Sequence, residues 1–76
     1  MDRLRRIAKA WLTSSRLTDF RDVVEEAKLS PFEVRILDRK FVMGQTNYQI
    51  AMEENCSQST VEKVLSKSYL RIANLI

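Results

Sequence analysis

The C-terminal part of the chain carries polar side chains whose types and spacing suit the reading of DNA bases. Five of them share one side of a helix predicted over about residues 58–74: Gln58, Ser59, Glu62, Lys63 and Ser66. Glutamine can pair with adenine, lysine with guanine, and glutamate can accept a hydrogen bond from cytosine. The set therefore predicts contacts to base edges, while each residue taken alone is more often part of a solvated helix face.

Four further residues carry groups that suit phosphate oxygens: Thr46, Ser57, Lys67 and Arg71. The two hydroxyls stand at predicted helix starts, where backbone amides are also available to an anion. The two cations follow the base-reading set by a turn or more of helix. We therefore expect these four residues to contact the DNA backbone.

Local signals define the two helices that must position these groups. Thr46 and Gln49 are three residues apart and form a capping box, which predicts a short helix ending near Glu54. Asn55 tolerates the left-handed conformation that a tight turn requires. Ser57 is then placed to cap the last helix.

Both helices have an apolar side that is expected to face inward. On the short helix these residues are Ile50 and Ala51, and on the last helix they are Val61, Val64, Leu65, Ser68 and Ile72. Cys56 is expected to fill the turn from inside. A short helix, a three-residue turn over residues 55–57 and a longer helix form the helix-turn-helix unit that fits a major groove.

Three more helices are predicted before this unit, over about residues 2–12, 18–28 and 31–43. The residues expected inside are Leu4, Ile7, Ala8, Trp11 and Leu12; then Leu17, Phe20, Val23, Val24 and Ala27; then Phe32, Val34, Ile36, Leu37 and Phe41. Ser30, Pro31 and Glu33 mark the third start, and Gly44 marks its end. We expect an all-α fold: a small bundle of about five helices in one domain over residues 1–76, with an N-terminal helical pair over 1–28 and the C-terminal helix-turn-helix unit over 29–76.

Residues 29–76 resemble region four of sigma-70 family sigma factors and related response-regulator-type helix-turn-helix domains. The matching residues are Leu29, Glu33, Gly44, Thr46, Ile50, Ala51, Ser57, Ser59, Thr60, Val61 and Leu65. The resemblance covers about 48 of the 76 residues. It implies DNA binding by the last helix through Gln58, Ser59, Glu62 and Lys63.

The chain departs from this family at three positions. Glu54 stands where the family has a buried leucine, so we expect a weaker contact between the two helices, with Met52 or Tyr48 compensating. Asn55 replaces a glycine, which is a benign change. Glu62 places a negative charge where many relatives have lysine or arginine, which lowers the affinity expected without a dimer or a partner.

Composition and charge exclude several classes of protein. The chain has one cysteine, Cys56, and no histidine, so it has neither an internal disulfide nor a Cys/His zinc site, and we expect a reduced, cytoplasmic setting. No nucleophile has a neighbouring base and no glycine-rich phosphate loop occurs, so we expect no enzyme and no cofactor. No apolar run approaches the roughly 20 residues of a membrane span.

The net charge of +3 is distributed unevenly along the chain. Residues 1–16 carry +4, residues 17–55 carry −3, and residues 56–76 carry +2. Basic ends around an acidic middle suit a module that meets a polyanion on one side. The N-terminal cations Arg3, Arg5, Arg6 and Lys9 fit phosphate contact or a solvated face, and the sequence slightly favours the second.

These observations predict a sequence-specific transcription regulator that binds double-stranded DNA, with a homodimer as one arrangement. The alternative is a protein-interaction module that binds RNA polymerase or a sigma factor and has little DNA binding of its own. The acidic middle of the chain and Glu62 favour this alternative. A structural bundle with an incidental helix-turn-helix is the third reading.

Overall fold

Five α-helices make up most of residues 2–76, the part of the chain that the computed structural model describes, and no strand occurs there. The helices are α1 (Asp2–Ser14), α2 (Leu17–Glu26), α3 (Pro31–Leu37), α4 (Asn47–Glu53) and α5 (Gln58–Ala73), and a π-helical segment (Asp38–Val42) continues α3. The predicted small all-α bundle of about five helices is confirmed.

Side-chain caps start α3 and α4 where the sequence predicts them. At α3 the Ser30 amide donates to Glu33 Oε1 at 2.8 Å, and the Glu33 amide donates to Ser30 Oγ at 3.3 Å. At α4 the Thr46 amide donates to Gln49 Oε1 at 2.9 Å, and the Gln49 amide donates back to Thr46 Oγ1 at 3.2 Å. Each box satisfies two amides that a helix start otherwise leaves unpaired.

Left-handed residues end the segments that precede these caps. Gly44 has a φ of +71° after the π-helical segment, as expected for a glycine stop. Lys28 has a φ of +53°, and α2 ends at Glu26, two residues earlier than predicted. A lysine in this conformation is uncommon, which explains why the sequence pattern extends the helix too far.

One side of α5 forms the centre of the core, and α1, α3 and α4 all pack against this helix. Its buried residues are Val61, Leu65, Ser68, Tyr69 and Ile72, while Val64 is half-buried. Tyr69 was missing from the predicted stripe. Its position four residues after Leu65 and three before Ile72 was the signal that could have placed it there. Burial raises the pKa of the Tyr69 phenol to about 12.

The prediction for α1 was partly wrong. Ala8 and Leu12 are buried and Trp11 packs at the edge of the core, but Leu4 and Ile7 are 40% and 46% exposed. Full burial on α1 is confined to the turns around Ala8 and Leu12. The apolar stripe therefore extends further along the helix than the contact that covers it, which sequence periodicity does not reveal.

Aromatic packing joins α2 to the rest of the bundle. The rings of Phe20 and Phe41 are 6.2 Å apart, and Phe41 meets Tyr69 edge-on at 6.1 Å. An ion pair between Arg21 and Asp38 at 2.7 Å adds a contact to the π-helical segment. Leu17, expected to close the inner stripe of α2, is 55% exposed because it stands at the first turn, at the rim of a surface pocket rather than over the core.

The π-helical segment changes the direction of the side chains that follow α3. The Met43 amide donates to the Asp38 carbonyl at 3.0 Å, a bond five residues long where a regular α-helix has four. The sequence predicts a regular helix over these residues. The wider turn lies against α4 and contributes Arg39 and Lys40 to contacts with that helix.

Ser68 offers a test of how α5 is packed. Its side chain is fully buried, and its hydroxyl has no hydrogen-bond partner among the described residues. We expect Ser68→Ala to raise the free energy of unfolding by about 1 kcal/mol, because an unpaired buried hydroxyl is costly and alanine favours the helix. Urea denaturation followed by circular dichroism measures this change.

Ser59→Ala is the matched control, since Ser59 is exposed on the same helix. It should give only the helix-propensity gain of about 0.5 kcal/mol. A Ser68→Ala variant less stable than the wild type would contradict the described packing.

Candidate nucleic-acid interface

The turn between α4 and α5 is held by backbone and side-chain hydrogen bonds. The Cys56 amide donates to the Ala51 carbonyl at 3.0 Å, and Asn55 has the expected left-handed φ of +55°. Ser57 Oγ accepts from the Thr60 amide at 3.1 Å and so caps α5. These bonds set the direction in which α5 leaves the turn.

The two helices bury their apolar sides against each other and the core. Ile50 and Val61 are fully buried, Ala51 and Leu65 nearly so, and Cys56 packs partly against this cluster. The N-terminal half of α5 therefore cannot rotate without exposing this cluster. Its polar side is held outward.

Four of the five base-reading candidates, Gln58, Ser59, Glu62 and Lys63, are exposed on that outward side. The fifth, Ser66, is half-buried because α1 lies beside it. Ser66 lies in the surface depressions between α1 and α5 rather than at the outermost line of α5. The structure thus brings four candidates together on an open face and places the fifth at its edge.

The two hydroxyls expected at phosphates already accept helix-capping bonds. Thr46 Oγ1 accepts from the Gln49 amide and keeps its own proton for another acceptor. Ser57 Oγ accepts from the Thr60 amide and also lies 3.0 Å from Thr60 Oγ1. Thr46 is therefore the better placed donor of the two.

Arg71 and, to a lesser degree, Lys67 lie near Glu33 at the start of α3. The Ser30 amide holds the pKa of the Glu33 carboxyl below its usual value, and the charges of Arg71 and Lys67 lower that pKa further. Lys67 also lines a surface depression with Arg5. Lys67 thus belongs to the open polar face, whereas Arg71 is associated with α3.

Two shallow depressions lie on the α1 side of α5, and they are lined partly by cations that the sequence did not assign to the interface. The larger is lined by Arg5, Ser59, Glu62, Lys63, Ser66, Lys67 and Leu70. The smaller is lined by Lys9, Lys40, Asn47, Glu62, Leu65, Ser66 and Tyr69. The signal for α1 was the four-residue spacing of Arg5 and Lys9, which puts both on one side of a helix. Lys40 carried no such signal, because its direction depends on the π-helical turn.

Two arginines hold the Glu54 side chain, an arrangement that the sequence pattern did not indicate. The Glu54 side chain is only 8% exposed, and its carboxylate pairs with Arg39 at 2.8 Å and with Arg35 at 3.2 Å. Arg39 also pairs with Glu53. The C-terminus of α4 is therefore held to α3 and to the π-helical segment by charge-assisted hydrogen bonds. The expectation that Tyr48 or Met52 compensates for the missing leucine was wrong, since these side chains are 57% and 62% exposed.

This cluster of Arg35, Arg39 and Glu54 predicts a pH-dependent contribution to stability. Hydrogen bonds from Arg35, and then from Arg39, hold the pKa of the Glu54 carboxyl below its ordinary value of 4.5. The contribution is therefore fully present above the unfolded-state pKa and is lost as the pH falls through the lower folded-state pKa. We expect Glu54→Gln to lower the free energy of unfolding by about 1–2 kcal/mol at pH 7, a range that allows for the exposure of Arg35.

Denaturant unfolding of the wild type and the variant between pH 7 and pH 3 measures this contribution. The difference between them should shrink below pH 4.5. Glu26→Gln, at an exposed position on α2, is the control and should change stability by less than about 0.5 kcal/mol. Equal stabilities of the wild type and Glu54→Gln at pH 7 would show that the cluster does not hold α4.

Two classes of site are not found among residues 2–76. No group of three or more acidic or cysteine side chains there is arranged to hold a metal ion. None of the helices in this range combines the length and apolar character that crossing a membrane requires.

No protein-family model matches this chain, and no curated protein or solved structure matches it either. Its function must therefore be inferred from its own residues and their geometry.

Proposed function

We propose that this protein is a sequence-specific transcription regulator that binds double-stranded DNA with α5 in the major groove. The observation that carries the proposal is the joint exposure of Gln58, Ser59, Glu62 and Lys63 on the N-terminal half of α5. The opposite side of the same helix is buried, so these side chains face outward as a group. The N-terminal half of a recognition helix is the part that contacts base edges.

The rigidity of the unit supports this role. The Thr46 and Ser57 caps, the left-handed Asn55 and the ion pairs of Glu54 all restrict the position of α5 before any ligand arrives. A preorganised helix avoids part of the ordering cost of binding. The resemblance of residues 29–76 to sigma region four and related helix-turn-helix domains is consistent with the same role for α5.

Three of the four exposed residues of α5 have chemically distinct parts in the proposed complex. Gln58 and Lys63 offer donors to purine acceptor atoms, and Glu62 accepts from cytosine. Thr46 and Lys67 contact phosphates beside the groove. Glu62 also opposes nonspecific attraction to the polyanion, so sequence-dependent contacts provide a larger share of the binding free energy.

Lys63→Ala tests the proposed base contact. After the preferred site has been selected from random duplexes, affinity is measured for that site and for unrelated duplexes. We expect a loss of about 1–3 kcal/mol at the selected site and a smaller loss elsewhere, because a base contact discriminates between sequences.

Lys28→Asn is the matched control for this experiment. It removes one positive charge at the end of α2, and asparagine tolerates the left-handed conformation found there. It should leave the preference for the selected site unchanged. If Lys63→Ala lowers the affinity for every duplex equally, Lys63 contacts a phosphate and not a base.

The second candidate function is a protein-interaction module of the transcription machinery, binding RNA polymerase or a sigma factor. The observation that favours it is the exposure of Tyr48 and Met52, which are four residues apart on α4 and share one side of it. Titration against mixed-sequence duplex at low salt separates the two functions. Absence of binding at tens of micromolar would favour the protein partner, since nonspecific DNA affinities commonly reach that range.

A further inference from the structure

The smaller depression between α1, α4 and α5 combines two cations with a neutral amide. Lys9 comes from α1, Lys40 from the π-helical segment and Asn47 from the first turn of α4. Its volume is about 160 Å³, and it is open to solvent. An anion can therefore approach both lysines from solvent.

The electrostatics of this depression are unfavourable without an anion. Lys40 Nζ donates to Asn47 Oδ1 at 2.9 Å, and this acceptor is uncharged. Burial lowers the pKa of the Lys40 amine, and the nearby charge of Lys9 lowers it further. Placing like charges together in a partly desolvated position costs free energy that a bound anion would offset.

Glu62 is the one carboxylate that lines the depression, and it does not neutralise the two lysines. No ion pair joins Glu62 to Lys9 or to Lys40 in the described part of the chain. With two cations and one carboxylate, the lining keeps a net positive charge.

The location of the depression relates it to the recognition helix. It shares Glu62 and Ser66 with the larger depression, which Arg5, Lys63 and Lys67 also line. The cations of α1 and those of α5 therefore border one continuous strip of surface. A duplex that admits α5 into its groove carries a sugar-phosphate backbone along each edge of that groove.

We propose that Lys9, Lys40 and the side-chain amide of Asn47 together bind one backbone phosphate of the DNA whose major groove α5 enters. This inference rests on the proposed function and adds α1 and the π-helical segment to the DNA-binding surface. It gives the basic N-terminal helix a part in binding. Lys40 and Lys9 supply the charge, while Asn47 fixes the position of the Lys40 amine.

The test compares the wild type with a Lys9→Gln, Lys40→Met double variant and with the Lys28→Asn control. Methionine retains the length and apolar stem of the half-buried Lys40 side chain. Affinity for a mixed-sequence duplex is measured between 50 and 200 mM salt. Loss of one phosphate contact should reduce the slope of log affinity against log salt by about 0.9, so the affinity deficit of the double variant shrinks about 3.5-fold over this range. The control should keep the wild-type slope.

A second measurement needs no variant and so does not depend on how the double variant folds. In the wild type, the side-chain amide resonances of Asn47 should shift and saturate as duplex is added. Absence of that shift at saturating duplex would overturn the site. A shift produced by millimolar orthophosphate but not by duplex would overturn DNA as the source of the phosphate.

The outcomes separate this inference from the proposed function. If the wild type binds duplex and the double variant has the same salt slope as the wild type, the phosphate site is overturned. The recognition role proposed for α5 is then unaffected. A wild type that does not bind duplex at tens of micromolar at low salt overturns both.

Discussion

Burial of one side of α5 is the interaction on which the other helices depend. Val61, Leu65 and Ile72 provide a continuous apolar surface, and α1, α3 and α4 meet it from different directions. Because packing in a core of this size is dense, a rotation of α5 would disturb all three contacts together. The same constraint keeps the polar half of the helix outside, so the fold and the candidate interface have one physical origin.

The features that could be predicted from the sequence are the ones set by local chemistry. Both capping boxes, the glycine stop at Gly44 and the left-handed turn at Asn55 involve residues within a few positions of one another. Helical periodicity likewise identified most of the buried side of α5 and the exposed set that begins at Gln58. These signals are sufficient to place most of the helices and to show that the polar side of α5 faces outward.

The features that were missed depend on residues distant in the chain. Leu4 and Ile7 are exposed although they belong to the apolar side of α1. The sequence of α1 alone does not show which of its turns another helix will cover. The π-helical turn has no local signature here, yet it determines where Lys40 lies. Glu54 looked unfavourable because its two arginine partners lie 15 and 19 residues away. A nearly buried carboxylate is stable only when such partners are present, and the pattern of apolar positions does not reveal them.

The packing of α1 against α5 also has a consequence for the order of events during synthesis. Helices α1 and α5 are neighbours although they are far apart in the chain, so Ala8 and Leu12 have their main partner only after α5 has emerged from the ribosome. Domains are made from the N-terminus onward, and a chain lacking the final helix leaves these residues without that cover. The bundle should therefore assemble as one cooperative unit once α5 has been made, rather than helix by helix.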